Sequence, residues 1–292
     1  MKLGIIGGSG LYELEGLEDV RRTVVKTPFG APSDLYIQGR LGKREVCFLP
    51  RHGVGHRILP SEINHKANIY GFKTLGVDRI LSVSAVGSLK EDLRPRDIVL
   101  PDQYFDRTKG SLNHTFFGNG IVGHISFADP TCPELRDIIA AAAEEAVSSE
   151  EEQRDIRITA EGTYVNMEGP AFSTRAESLV YRQLGLDVIG MTSLPEAKLA
   201  REAEICYQAM AMVTDYDCWH ESEEAVTVEM IVGNLTANVQ LAKDIVRRVV
   251  AALPERRACS CGDALKNAIF TNLSKVPAET VEALRPIIGR YL

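Results

Sequence analysis

Ile205-Cys206-Tyr207-Gln208-Ala209-Met210-Ala211-Met212-Val213 is an apolar run of strand length, and Thr214-Asp215-Tyr216-Asp217 follows it directly. A run with so little alternation reads as a buried strand of an open α/β sheet. Its C-terminal end is where such sheets keep their ligands. Strand side chains alternate with period two, so in an extended segment Asp215 and Asp217 face the same side. Two acids facing one crevice can hold a nitrogen-rich ring and move a proton onto it. The competing reading is a strand-end turn in which both carboxylates are solvated or capping.

Outward from this run, strand-like segments recur at 3–6, 35–38, 46–49, 79–83, 98–100, 164–167 and 188–190. Helical patterns separate the later ones. Segment 133–147 is alanine-rich, with Thr131 and Glu134 at capping-box spacing. Segment 195–203 has Pro195 in its first turn. Leu235, Val239, Ala242, Val246, Val249 and Leu253 form one apolar stripe at alternating spacings of four and three. Strand and helix alternating along the chain imply an α/β fold, a mixed central β-sheet flanked by α-helices. No linker divides the chain, so residues 1–292 are expected to form one domain, with a C-terminal helical extension from about 259.

The chain has 292 residues and a net charge of -7, and no Lys/Arg-rich stripe breaks its surface pattern. Nucleic acid is therefore not an expected partner. The sequence shows no signal-peptide h-region and no apolar stretch of spanning length, so a cytoplasmic location and no membrane partner are expected. Cys47 and Cys206 fall in apolar strand runs and read as buried small hydrophobes. Cys132 precedes Pro133 at a helix start, and Cys218 follows the acidic pair. Cys259-Ser260-Cys261 is a C-x-C for which a metal reading needs two more ligands, and none is nearby. It reads as two reduced surface thiols, against a redox-active pair or a bridge to a distant cysteine.

Five further segments carry candidate chemistry. Gly4-Ile5-Ile6-Gly7-Gly8-Ser9-Gly10 is a glycine-rich loop after the first strand, able to cradle an anion with backbone N–H groups. It lacks the third glycine of the dinucleotide fingerprint, since position 13 is Glu13, which disfavours a Rossmann oxidoreductase. Arg51-His52-Gly53 sits at a strand end, with His56 and Arg57 in the same loop. The arginine fork suits phosphate, and the histidine is read as a further donor. Ser84-Ala85-Val86-Gly87-Ser88 places small residues at another strand end. Glu168-Gly169-Pro170-Ala171-Phe172-Ser173-Thr174 offers a ring for stacking, and Thr174 with Glu177 makes a second capping box. Gly190-Met191-Thr192 joins a strand to a helix, with a hydroxyl for phosphate and a soft apolar contact for a sugar.

In this order, the motifs at 7–10, 51–53, 84–89, 168–173 and 190–192 resemble the trimeric nucleoside phosphorylase family, which includes purine nucleoside and 5′-methylthioadenosine phosphorylases. Thr-Asp-Tyr-Asp at 214–217 is similar to the methylthioadenosine branch. The resemblance implies that Ser9, Arg51, His52, Ser84 and Thr192 hold phosphate. It places Ala85 and Met191 at the ribose, Phe172 and Ser173 at the base, and Asp215 at purine N7 and the exocyclic amine with Asp217 beside it. Val228 and Val232, with His124 from a neighbouring subunit, would form an apolar pocket for a 5′-methylthio group. Implied too are phosphate as co-substrate, no cofactor or metal, and a homotrimer or dimer of trimers. Two rival readings are a phosphorylase acting mainly on adenosine or methylthioinosine and a non-enzymatic nucleotide-binding domain.

Overall fold

Strand β11 (Cys206–Tyr216) is buried at every position but its last. The structure, a computed structural model, describes residues 1–8, 11, 14–110, 114–153, 155–220 and 228–292, with 152 and 228–236 described by backbone alone. In chain order its other strands are β1 (Lys2–Gly7), β2 (Leu17–Thr23), β3 (Tyr36–Leu41), β4 (Arg44–Pro50), β5 (Arg79–Ser88), β6 (Ile98–Val99), β7 (Gln103–Arg107), β8 (Ile158–Thr159), β9 (Thr163–Met167) and β10 (Val188–Gly190). The helices are α1 (His65–Thr74), α2 (Pro133–Ser149), α3 (Arg175–Gln183), α4 (Ser193–Glu202), α5 (Val228–Ala252), α6 (Ala278–Ala283) and α7 (Arg285–Ile288).

Both faces of β11 are covered because its side chains alternate between two helical layers. Cys206, Met210 and Met212 pack with Leu135 and Ile139 of α2 and Ile245 and Val249 of α5. Tyr207 and Ala209 pack with Ile69 and Phe72 of α1 and Ala197 and Ala200 of α4. The α5 stripe from Ala242 to Leu253 thus faces the core as its spacing predicts. The sheet is mixed: β1, β4, β5 and β11 pair in parallel, while β2–β3, β3–β4, β5–β10 and β6–β11 pair antiparallel.

The feature that makes room for a ligand is a change of partner along β5. One edge of β5 follows β11 from Arg79 to Ser88. The other edge pairs with β1 only as far as Ser82, then with β10 at Gly87 and Ser88. Between these partners lie Val83 to Val86, at the kind of switch point where α/β sheets bind ligands.

Local expectations fare unevenly. Thr174 caps α3 and Glu177 returns the bond, completing that capping box. The box at Thr131 and Glu134 does not form: Cys132 is the N-cap of α2 and makes no side-chain cap bond. Glu134 is drawn instead to Arg79 Nη2 at 2.7 Å and to the amides of Ala258 and Cys259 at 2.7 and 2.8 Å. A charged partner and two N–H donors outweigh one cap bond. Strands β2, β7 and β8 carried no readable pattern. The C-terminal segment packs into the body: Leu284, Ile287 and Ile288 join the α1 core, and Tyr70 donates to Ala283 O at 2.9 Å.

Candidate active site

Strand β11 bulges between Val213 and Asp215, and Asp215 then registers against Gly87 of β5. A Cβ at Gly87 would lie 3.1 Å from Asp215 Oδ1 and 3.5 Å from Asp217 Cβ, so its absence lets both acids close on one spot. Each acid is only 8% exposed, which rules out a solvated turn. The Thr214 hydroxyl donates to Asp215 Oδ2 at 2.6 Å, and the Asp217 amide donates to Ser88 O at 3.0 Å. Burial raises the Asp217 carboxyl above its ordinary pKa, partly offset by the Ser178 hydroxyl and the Cys218 amide nearby. Its Oδ2 has no hydrogen-bond partner among the described residues.

Beside the acids, Ser173 O accepts from the Cys218 thiol at 3.3 Å, which ties the 168–173 loop to the end of β11. Phe172 on that loop is 62% exposed, with its ring open to contact. A Cβ on Gly169 would overlap Met191 Sδ, so the loop backbone lies directly on Met191. Ala85 is the one exposed residue of β5.

On the other side of β5, Arg51 follows β4 and is buried. It is not the open fork the sequence suggests. Its Nε donates to Glu196 Oε1 at 2.6 Å and Nη2 to Glu196 Oε2 at 3.2 Å. Nη2 also donates to Ser82 Oγ at 2.6 Å, and Nη1 to Val83 O at 2.9 Å, which leaves one Nη1 hydrogen for a ligand. Burial pushes the Glu196 carboxyl up, but the Arg51 charge and bonds outweigh it and hold the carboxyl below its ordinary value. Glu196 has no role in the sequence reading. Its only local sign is a carboxylate among the small apolar residues of a buried helix.

His52 is also corrected. Its Nδ1 lies 2.9 Å from Ile58 O, and a carbonyl only accepts, so the ring proton sits on Nδ1. Burial, then the Arg51 charge, lowers its pKa to about 4, so the ring is neutral and presents Nε2 as an acceptor rather than a donor. Ser84 is buried with its hydroxyl unpartnered among the described residues, and Thr192 makes no side-chain cap bond at the start of α4. The Tyr164 hydroxyl lies beside both, in space left by the missing side chain of Gly190. Arg51, Ser84 and Thr192 thus gather around the open stretch of β5.

Four expected residues remain. Ser9 and the side chains of Val228 and Val232 lie outside the described residues; the helix backbone carrying the two valines begins α5. His124 is exposed, with its amide bonded to Ala268 O at 2.8 Å and its ring 5.6 Å edge-on from Phe270. Within one chain it belongs to the surface built by the C-terminal segment. The cysteine reading changes too: Cys261 is buried, and the sulfurs of Cys132, Cys206, Cys259 and Cys261 all lie within 4.8 Å of one another. Neither surface thiols nor an isolated Cys206 describes them.

A buried acid pair thus stands at the strand-order switch of β5, with Arg51, Ser84 and Thr192 beside it. The chain belongs to the phosphorylase superfamily, whose model it matches over residues 2–251. It is 56% identical over 290 residues to the S-methyl-5′-thioadenosine phosphorylase of Geobacter sulfurreducens, covering 99% of both chains. It is similar in structure to a methylthioadenosine phosphorylase from an antarctic soil metagenomic library, with TM-score 0.92, 48% identity and 98% of each chain covered. It is also similar to an adenosine/methylthioadenosine phosphorylase mutant of Schistosoma mansoni in complex with methylthioadenosine, with TM-score 0.81, 37% identity, and 91% of this chain and 96% of that chain covered.

Proposed function

We infer that this chain catalyses phosphate-dependent cleavage of S-methyl-5′-thioadenosine to adenine and 5-methylthioribose 1-phosphate, a pentosyl transfer serving purine and methionine salvage. The observation that carries this reading is the closure of Asp215 and Asp217 on Gly87, one β5 residue beyond the stretch where Arg51, Ser84 and Thr192 gather. The sugar spans the two sets, lying on Ala85 and Met191, with the base bordered by Phe172 and Ser173. Ser9 and His52 complete the phosphate subsite. Val228 and Val232, with His124 of a neighbouring copy, line the 5′ end.

Cleavage develops positive charge on an oxocarbenium-like sugar. Phosphate is both the nucleophile and the anion beside that charge. With Arg51 already neutralised by Glu196, phosphate is held by hydrogen bonds and the start of α4 rather than by an uncompensated cation. Its attacking oxygen keeps its electron density. Adenine leaves more easily when N7 is protonated, and in this reading Asp215 supplies that proton. A carboxyl also accepts from a 6-amino group, whereas a 6-oxo group offers no hydrogen, and such mismatches discriminate by about 10⁴.

The reading includes a cytoplasmic enzyme without cofactor, assembled as a homotrimer or dimer of trimers. No described helix is long and apolar enough to cross a membrane. An association surface is supported by the edge strand β7, which among the described residues pairs only with β9, and by the exposed Leu179 and Val180 of neighbouring α3 with Leu184 at its C-cap. Arg107 of β7 joins the two elements by donating to Tyr181 OH at 3.4 Å. The deciding experiment measures base release from methylthioadenosine, adenosine, inosine and methylthioinosine with and without phosphate. Methylthioadenosine should be cleaved best and only with phosphate; a better rate with any of the others rejects the substrate assignment.

A further inference from the structure

We propose that Cys132, Cys206, Cys259 and Cys261 form a structural tetrathiolate site for a zinc ion, remote from the nucleoside cleft. The four residues come from the start of α2, the first position of β11 and the segment after α5, and only the fold brings them together. All their sulfurs lie within 4.8 Å of one another, with Cys206 and Cys259 at 3.3 Å. A zinc ion with Zn–S bonds of about 2.3 Å sets sulfur–sulfur edges of about 3.8 Å, so small side-chain shifts close a tetrahedron here. Soft thiolates in fours select zinc or iron, and zinc is the usual occupant of a closed structural site.

The ligand backbones are anchored without help from the sulfurs. Cys132 N–H donates to Tyr207 O at 2.9 Å and Cys206 N–H to Asp78 O at 3.1 Å. Glu134 accepts the Cys259 amide at 2.8 Å. Arg257 lies beside the cluster with Nη1 3.9 Å from Cys206 Sγ, itself held by Glu204 O at 2.8 Å. Zinc binding expels four thiol protons to solvent and leaves a doubly negative centre, which a fixed guanidinium and the N-terminal end of α2 both favour. Two disulfides would need only two close pairs and no cation, whereas here all four sulfurs converge beside an arginine. The site sits at the opposite end of β11 from Asp215, about 30 Å along the strand. It would clip the segment after α5 to the sheet.

The test uses the full chain, expressed without a histidine tag and purified with reductant. Elemental mass spectrometry should find about one zinc per chain, falling to near zero in Cys259→Ser and Cys261→Ser. Because those variants could fail to fold, cobalt is also exchanged into the unaltered chain, where tetrahedral thiolate coordination gives an intense sulfur-to-metal charge-transfer band. Zinc removal should also speed proteolysis around 254–262. Any of three results overturns the proposal: a folded, reduced chain that takes up no zinc or cobalt, iron as the sole bound metal, or peptide mapping that finds these cysteines paired as disulfides.

Discussion

Asp215 is shaped by two neighbours, the Gly87 gap that admits its Oδ1 and the Thr214 hydroxyl on its Oδ2. Replacing it with alanine removes the proton that the proposed reaction offers to the purine while leaving the strand pairing in place. Phosphate-dependent release of adenine from methylthioadenosine should then fall about 10²–10⁴-fold in kcat/KM. Asp215→Asn keeps the size but adds a donor, so turnover of 6-oxopurine nucleosides relative to 6-amino ones should rise; an unchanged ratio would remove Asp215 from base recognition. The neighbouring His52 makes a different demand. Neutral, with its proton committed to Ile58 O, it can only accept at Nε2, so an anion held there as proposed must bring a hydrogen. Hydrogen phosphate has one and sulfate does not. A buried unmatched acceptor costs about 1–3 kcal/mol, so sulfate should compete about 5- to 150-fold more weakly than phosphate binds, and His52→Ala should narrow that gap. Equal binding of both anions contradicts the assigned tautomer.

Helix α4 organises the site because its residues reach three places. Thr192 precedes it at the proposed anion end, Glu196 holds Arg51, and Glu202 at its end accepts Phe116 N–H at 2.6 Å and the Thr115 hydroxyl at 2.7 Å. Glu196→Gln leaves the Arg51 charge buried against a neutral amide. Breaking a buried pair in this way costs about 3–5 kcal/mol, to be read as a lower midpoint in urea unfolding. A compensating Arg51→Met in the same chain should recover part of the stability but none of the phosphate affinity. Glu202 sets a pH dependence. Burial raises its pKa to about 7 from an ordinary 4.5, against the opposing pull of the Phe116 and Thr115 bonds and Lys66. The folded state therefore holds a proton that the unfolded state has released. Stability from this group is complete below pH 4.5 and drains away as pH rises through about 7, by at most about 3 kcal/mol. Comparing unfolding of Glu202→Gln with the parent chain at pH 5.5 and 8 isolates the effect, because the glutamine cannot titrate. A parent and variant with the same slope would place the Glu202 proton elsewhere.

At the scale of the whole molecule, what could be read in advance depended on how local its cause is. Strands β1, β4, β5 and β11 are legible because burial on both sheet faces demands unbroken apolar runs. Strand β2, Leu-Glu-Asp-Val-Arg-Arg-Thr, has no buried residue and shows no such run. The positions proposed for phosphate and purine stand out because small, basic or acidic residues follow strand ends directly. Glu196 stays silent because its partner is 145 residues away, and Cys206 meets Cys259 across 53. No local pattern records those meetings. The same limit applies between chains, where His124 bears on the assembly. Its ring stands exposed against Phe270 on its own chain's surface, and in the proposed trimer it completes the 5′ pocket of the next copy. His124→Ala and Asp215→Ala chains should each lose kcat/KM for methylthioadenosine when made alone. In a co-expressed mixture of equal amounts, about a quarter of sites combine an intact acid from one chain with an intact histidine from the next, so activity should exceed the mean of the two pure variants. Chains mixed after folding, without exchange of subunits, should show only that mean. If co-expression also yields no more than the mean, His124 does not reach across an interface, and the 5′ pocket is built within a single chain.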